Sequence, residues 1–272
     1  MSLVYVFAAM RMETRAVELI INPRADRRFS AGSKTWPVES NRVRLFTTGM
    51  GPRRAQKCAA TAFAVNDPAN IRSMPDEGPD AALVIGLCGG LSPSLSEGTI
   101  VSYAECLSTD SGRPPVRCSP SLRDQQAALL LSRGIQCERC VGITSPRIGT
   151  PSGEKLTLAK SGASAVDMES YEIIAAAAKA GVPTTVLRIV ADAFEQRMPD
   201  FNRALRVDGD FDGWMALKVA LGSPLLTAKL VAANRRAIQG LGKALKIVLA
   251  ADCFSEANLG KPSVPNLRAG SS

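Results

Sequence analysis

The chain carries two hydrophobic periods that take turns. Residues 3–9 (LVYVFAA) form an almost unbroken apolar run of β-branched and aromatic residues, the pattern of a strand covered on both faces. METRAVEL follows with helical character. RVRLFTTG (42–49) alternates and stops at a glycine, which predicts a second strand. PRRAQKCAATAFAV (52–65) places Pro52 at the first position of a predicted helix. AALVIGLCGG (81–90) reads as a central strand running into a tight loop, and GTIVSYAEC (98–106) as another strand. SLRDQQAALLLSRG (121–134) is a helix with a glycine stop. SAVDM is a short strand, ESYEIIAAAAKAG (169–181) a helix ended by Gly181, and VPTTVLRIVAD (182–192) a strand that finishes on an acid.

Strands that alternate with helices predict an α/β protein with a sheet covered on both faces. In such sheets ligands sit beyond the C-terminal strand ends. That rule selects the loops after residue 9, after 48, after 87, near 168 and after 190. Residues 66–79 and 107–120 read as exposed loops. Residues 1–252 are expected to form one domain that includes a helical extension at 212–250. A poorly ordered tail is expected at 253–272.

Composition narrows the chemistry. The 272 residues contain no histidine, which excludes Ser-His-Asp and Cys-His catalysis. The seven cysteines are scattered and odd in number, so no disulfide framework is expected. Cys137 and Cys140 form one C-x-x-C without a second pair, so no metal is expected. The net charge of +8 allows an anionic partner, but only 5% of residues are aromatic and none interleave with basic residues. No nucleic-acid partner is expected. The N-terminus reads as a first strand and not as a signal peptide, and the apolar runs are too short to cross a bilayer, so a cytoplasmic protein is expected.

AVDMES (165–170) sets Asp167 and Glu169 two residues apart at a strand-to-helix junction. There they should point apart, which argues against a catalytic carboxylate pair. Together with AAMRMETRAV, TTGMGPRRA, VIGLCGGLSPSLSEGTIV and LRIVAD, in this order, the segment resembles the purine nucleoside phosphorylase and nucleosidase superfamily. Within it the chain is similar to the methylthioadenosine/S-adenosylhomocysteine nucleosidases. The resemblance implies a three-layer α/β/α sandwich around a mixed sheet, a homo-oligomer, and an enzyme that cleaves the N-glycosidic bond of a purine nucleoside without an organic cofactor.

The resemblance also implies roles. Glu169 would accept the ribose hydroxyls and Met168 would lie against the sugar, with Cys88, Gly89 and Gly90 beside the substrate. Asp167 would serve local structure. Asp192 would protonate the leaving purine, and Glu13 would activate water. Apart from the resemblance, Arg11, Arg15 and Arg53 lie close in sequence to the glycine loops, and with the backbone N–H groups of Gly49 and Gly51 would hold inorganic phosphate were phosphate the nucleophile. Two positions depart from the family pattern: Ala191 stands where a serine often precedes the acid, and Val84 where phosphorylases often carry an arginine. A nucleoside- or lipid-binding protein that does not cleave its ligand therefore stays open as an alternative.

Residues 214–250 carry six Lys or Arg and no Asp or Glu, with Pro224 dividing two predicted helices. This extension, GEKLTLAKSGASAVDMES and the P-D-F-N stretch resemble the hopanoid-associated phosphorylases. That resemblance implies adenosylhopane, a lipid-linked nucleoside, as substrate. A cationic helix pair suits peripheral contact with an anionic membrane and equally suits packing on the domain with a wet basic face.

Overall fold

A computed structural model describes residues 1–21, 35–64, 78–148, 153–196, 199–204, 206 and 212–255. The first strand, β1 (Ser2–Ala8), shows why an unbroken apolar run was needed. Val4 and Val6 enter one core, while Tyr5 and Phe7 enter another on the opposite face. The chain then forms α1 (Arg11–Ile21), β2 (Thr35–Val38), β3 (Asn41–Thr47), α2 (Pro52–Phe63), β4 (Ala81–Gly90) and β5 (Ile100–Ser108). It continues through β6 (Val116–Arg117), α3 (Pro120–Ser132), β7 (Cys137–Thr144), α4 (Glu154–Ala159) and β8 (Ala165–Asp167). It ends with α5 (Ser170–Lys179), β9 (Thr184–Asp192), α6 (Gly213–Gly222) and α7 (Pro224–Ala250).

The sheet is mixed. β1 pairs in parallel with β3 and β4, and β4 in parallel with β9. β9 is antiparallel to β5, β5 is parallel to β7, and β7 is parallel to β8. β8 returns to the end of β4 through Gly89 and Gly90. Strands β4, β9, β5, β7 and β8 therefore close a ring, and the ends of β4, β8 and β9 meet at one place. Helices α1, α3 and α7 cover one face and α2 and α5 the other, the layered α/β architecture expected from the sequence.

Four aromatic residues cluster on the α2 face. Tyr5, Phe7, Phe46 and Phe63 pack with ring centroids 4.9–6.1 Å apart. In β7, Gly142 lies under the buried ring of Tyr103, and a Cβ there would sit 2.1 Å from a ring carbon. Gly142→Ala must displace that ring, an overpacking that typically costs about 1–3 kcal/mol. A lower urea midpoint with an unchanged slope is the expected result.

Several boundaries differ from the sequence expectation. Residues 107–120 are not all exposed loop: β5 runs to Ser108, β6 adds a short edge strand, and Cys118 is buried. β7 and β2 had no sequence signal strong enough to mark them. Cys253 and Phe254, expected to begin the tail, are buried against the α7 core. Residues 65–77 and 256–272 lie outside the described residues. Pro224 does separate two helices, which bend by 112° at the break. Among the described residues no single helix is long and apolar enough to cross a membrane.

Candidate active site

The ends of β1, β4, β8 and β9 surround a cavity of about 440 Å³, within the range of small-molecule sites. Its walls include Glu13, Cys88, Met168, Glu169, Arg188 and Asp192. Each charged group arrives by a local device that the fold dictates.

Glu13 sits in the first turn of α1 and is 1% exposed. One carboxylate oxygen accepts the backbone N–H groups of Ala9 and Met10, each at 2.9 Å, and the other accepts that of Leu87 at 2.9 Å. The approach to β4 is possible because residue 86 is glycine. Gly86 has φ +146°, and a Cβ there would lie 2.6 Å from the Glu13 carboxylate and 2.8 Å from the Arg188 guanidinium. Burial pushes the Glu13 pKa up, against the pull of Arg188 and of the three N–H groups.

Asp167 closes β8 and caps α5. Its Oδ1 accepts from the backbone N–H of Glu169 and of Ser170 and from the Thr144 hydroxyl, each at 2.9 Å. Burial alone would raise its pKa, but Arg188 and these donors together hold it below the usual value. Glu169 occupies the N-cap position yet makes no cap bond with its side chain. Its Oε1 instead accepts the N–H of Gly51 at 2.9 Å, and its Oε2 that of Arg188 at 3.4 Å. Burial pushes its pKa up to about 7 despite Arg188.

The two acids of AVDMES therefore do not diverge, contrary to the sequence expectation. The strand-to-helix turn swings both toward Arg188, which lies 3.5 Å from Asp167 and 3.4 Å from Glu169. Arg188 is 1% exposed and also donates to the Leu87 carbonyl and the Ser170 hydroxyl. Burial would lower its pKa, but Asp167, Glu169 and Glu13 hold it above the ordinary value. The sequence reading missed Arg188 as a site residue. Its signal was a single cation inside the apolar strand TTVLRIVAD.

Asp192 ends β9. The pairing with β4 slips there, so that Cys88 faces Val190 and Gly89 faces Asp192, with Ala191 skipped. A bulge of this kind re-aims a side chain, and the Asp192 carboxyl lines the cavity. Burial raises its pKa to about 6, against the pull of Lys155. Lys155, from α4, is 1% exposed and its ammonium contacts that carboxylate. It too was missed by the sequence reading.

Met168 and Cys88 line the cavity as apolar surfaces, and burial pushes the Cys88 thiol pKa well up. Gly89 lines it as well, whereas Gly90 packs against the Leu95 carbonyl. The residues expected to hold phosphate are placed differently. Arg11 and Arg53 are exposed, and Arg15 pairs with Glu18 at 3.2 Å. The Gly51 N–H is committed to Glu169 and the Arg54 side chain lies against Gly49. None of these arginines lines the cavity among the described residues. Val84, at the position where phosphorylases of the family often carry an arginine, is buried in the α2 face core. No group of three or more Cys, Asp or Glu among the described residues could hold a metal ion.

The extension completes the cavity. Leu230 and Val231 of α7, with Phe201, form an apolar wall. From Ala233 to Leu249, α7 is buried against the domain through one stripe of residues. Before that point it and α6 are exposed, with Trp214, Leu217, Leu221 and Leu225 between 48% and 78% accessible. The extension thus packs on the domain from Ala233 onward, while its first part leaves an exposed surface.

Solved structures of the same fold cover nearly the whole chain. A variant of the Helicobacter pylori methylthioadenosine nucleosidase with 5'-methylthioadenosine in its active site is similar with a TM-score of 0.67, at 15% identity, over 92% of this chain and 98% of that one. The native futalosine hydrolase of Helicobacter pylori gives a TM-score of 0.65 at 17% identity, over 91% and 97%. The Neisseria meningitidis 5'-methylthioadenosine/S-adenosylhomocysteine nucleosidase gives 0.66 at 16% identity, over 92% and 99%. No curated protein matches the sequence. The family model of the phosphorylase superfamily matches residues 13–208, from the buried Glu13 past Asp192. This chain belongs to the phosphorylase superfamily.

Proposed function

We propose that the protein hydrolyses the N-glycosidic bond of an adenosine whose 5' position carries a large apolar group. Adenosylhopane is the substrate that the sequence resemblance favours. The observation that carries the reading is the convergence of Glu13, Glu169 and Asp192 on one cavity, each with a pKa raised by burial. Such shifts suit groups that exchange protons near neutral pH.

In this reading Glu169 accepts hydrogen bonds from the ribose hydroxyls with the lone pairs left by Gly51 and Arg188. Met168 packs on the sugar. Asp192 gives its proton to the purine as the bond to C1' breaks, so that the base leaves neutral. The sugar becomes oxocarbenium-like, and water attacks C1' while Glu13 takes its proton. Glu13 retains acceptor capacity for that water, since its Oε1 accepts only one backbone donor.

Water is favoured over phosphate by charge. Glu13, Asp167, Glu169 and Asp192 face the cavity, and the cations that line or adjoin it are already engaged: Arg188 by two carboxylates, Arg147 by Glu154 and Lys155 by Asp192. A phosphate dianion would meet net repulsion there.

The apolar 5' group is supported by the wall of Phe201, Leu230 and Val231 and by the exposed leucines that precede it along α6 and α7. The same corner carries Lys218, packed over Trp214 at 5.4 Å, and its two helices contain no Asp or Glu. An anionic membrane surface is its natural partner, and a lipid-linked nucleoside would reach the cavity from it.

The test is adenine release from 5'-methylthioadenosine and from 5'-alkylthioadenosines of increasing chain length. The expected result is kcat/KM rising with chain length, with no dependence on added phosphate. A fall with chain length would favour a methylthioadenosine-type nucleosidase, as in the similar structures. Binding without release would reduce the protein to a nucleoside receptor.

A further inference from the structure

Lys155 is the buried charge for which the reaction above has no use. Its ammonium is spent on one point of the fold. It contacts the Asp192 carboxylate and donates to the Ala193 carbonyl at 2.8 Å and the Asp192 carbonyl at 3.4 Å. All its contacts therefore fall on the end of β9 and on the residue that follows. The helix bearing it is itself tethered: Glu154 pairs with Arg147 at 2.8 Å and accepts from the Asn202 amide at 3.5 Å. Burying an ammonium is costly unless it is paired, and here the partner is the group read as the proton donor. Ala191 beside it has no hydroxyl to hold that carboxyl.

We propose that Lys155 is a positioning residue for Asp192, holding its carboxyl toward the cavity and setting its strength as an acid. This rests on the functional reading above. As the C1'–N bond breaks, its electron pair goes to the purine and the Asp192 proton goes to the purine nitrogen. The carboxylate left behind is ion-paired with the Lys155 ammonium, which gives up nothing. Without Lys155 the product carboxylate would stand uncompensated, so the acid would be weaker and its proton harder to transfer. The other charged or titratable groups lining the same cavity are Glu13 from α1, Cys88 from β4, Asp167 and Glu169 at the β8–α5 junction, Arg188 from β9, and Arg147. Of these, Arg188 is engaged with Asp167 and Glu169, and Arg147 with Glu154. Lys155 is the cation on Asp192, and its pull is what keeps the carboxyl pKa at about 6 in a site where burial raises it.

The experiment compares the pH profiles of kcat for the wild type, Lys155→Met and Lys155→Arg, with free adenine as readout. In the wild type kcat should fall as pH rises past the pKa of Asp192. In Lys155→Met that limb should move up by about one pH unit or more, as expected for loss of an adjacent opposite charge. Its maximal kcat should drop at least tenfold while KM changes little. Lys155→Arg should return the limb to its wild-type position. Release by the wild type with an unmoved limb in Lys155→Met would overturn the role of Lys155 alone. No release by the wild type would overturn the functional reading, and this proposal with it. Should Lys155→Met fail to fold, the double variant Lys155→Met/Asp192→Asn removes both charges. Recovery of the fold in the double variant is expected, and a double variant as unstable as the single would contradict the pairing.

Discussion

Arg188→Met is expected to be the most destabilising single change in the site. The guanidinium is buried between Asp167 and Glu169, at 3.5 and 3.4 Å, with Glu13 nearby. Removing it leaves several buried carboxylates without a counter-charge. Breaking a buried ion pair from one side costs about 3–5 kcal/mol, a large share of the roughly 5–15 kcal/mol that holds a typical domain together. The loss should depend on pH, with a sign fixed by the carboxylates. Their pKa values rise once Arg188 is gone, so at low pH they are neutral and the missing cation matters less. The difference between variant and wild type should therefore shrink as pH falls from 8 to 5. In the wild type, Glu169 has a folded pKa of about 7 against 4.5 for the unconstrained group. The folded state then binds more protons than the unfolded state between these values, so the Glu169 contribution lowers stability as pH rises through that window. Asp167, whose pKa is lowered, acts with the opposite sign below its unfolded value. Urea titrations at pH 5 and pH 8 read the Arg188→Met effect, and equal midpoints for variant and wild type at pH 8 would refute it.

Asp192→Asn is expected to give the largest loss of turnover. An amide of the same shape cannot deliver the proton that the leaving purine needs. A lost general acid typically costs about 10²–10⁴-fold. The nucleoside should still bind within a few-fold, because Met168 and Glu169 are untouched. The descending limb of the wild-type pH profile, assigned to Asp192 with its pKa of about 6, should vanish in the variant. The fold should suffer less than in Arg188→Met, because Lys155 keeps its bond to the Ala193 carbonyl at 2.8 Å. Single-turnover kinetics together with equilibrium binding separate these effects. A variant with wild-type turnover would remove Asp192 from the chemistry.

The elements that carried strong periodicity were legible in the sequence. β1, β4 and β9 are buried on both faces, and their apolar runs follow from that directly. β7 was not legible, because CERC opens it with polar residues that face outward and the strand becomes buried only toward its end. β2 contains Pro37 and pairs only at the sheet edge, beside β3. The acids Glu13, Glu169 and Asp192 could be named because the short motifs that hold them resemble those of the nucleoside phosphorylase and nucleosidase superfamily. Their partners could not. Glu169 meets Gly51 across 118 residues, and Asp192 meets Lys155 across 37. Such pairings depend on strand order, which local pattern does not encode. The divergence expected for Asp167 and Glu169 failed for the same reason: both answer to Arg188, whose strand lies elsewhere in the chain. The basic residues 11, 15 and 53 looked like an anion site because they are close in sequence to the glycine loops. The helices that carry them turn those side chains outward instead.

One measurement bears most directly on the central claim. The protein is incubated in phosphate-free buffer made with ¹⁸O-water, and the products of a 5'-alkylthioadenosine are analysed by mass. The account predicts adenine and the 5'-alkylthioribose in equal amounts, with one ¹⁸O bound at C1' of the sugar. Sugar formed only on addition of phosphate, as a 1-phosphate ester, would contradict the assignment of water and Glu13. Intact nucleoside under both conditions would contradict the account as a whole.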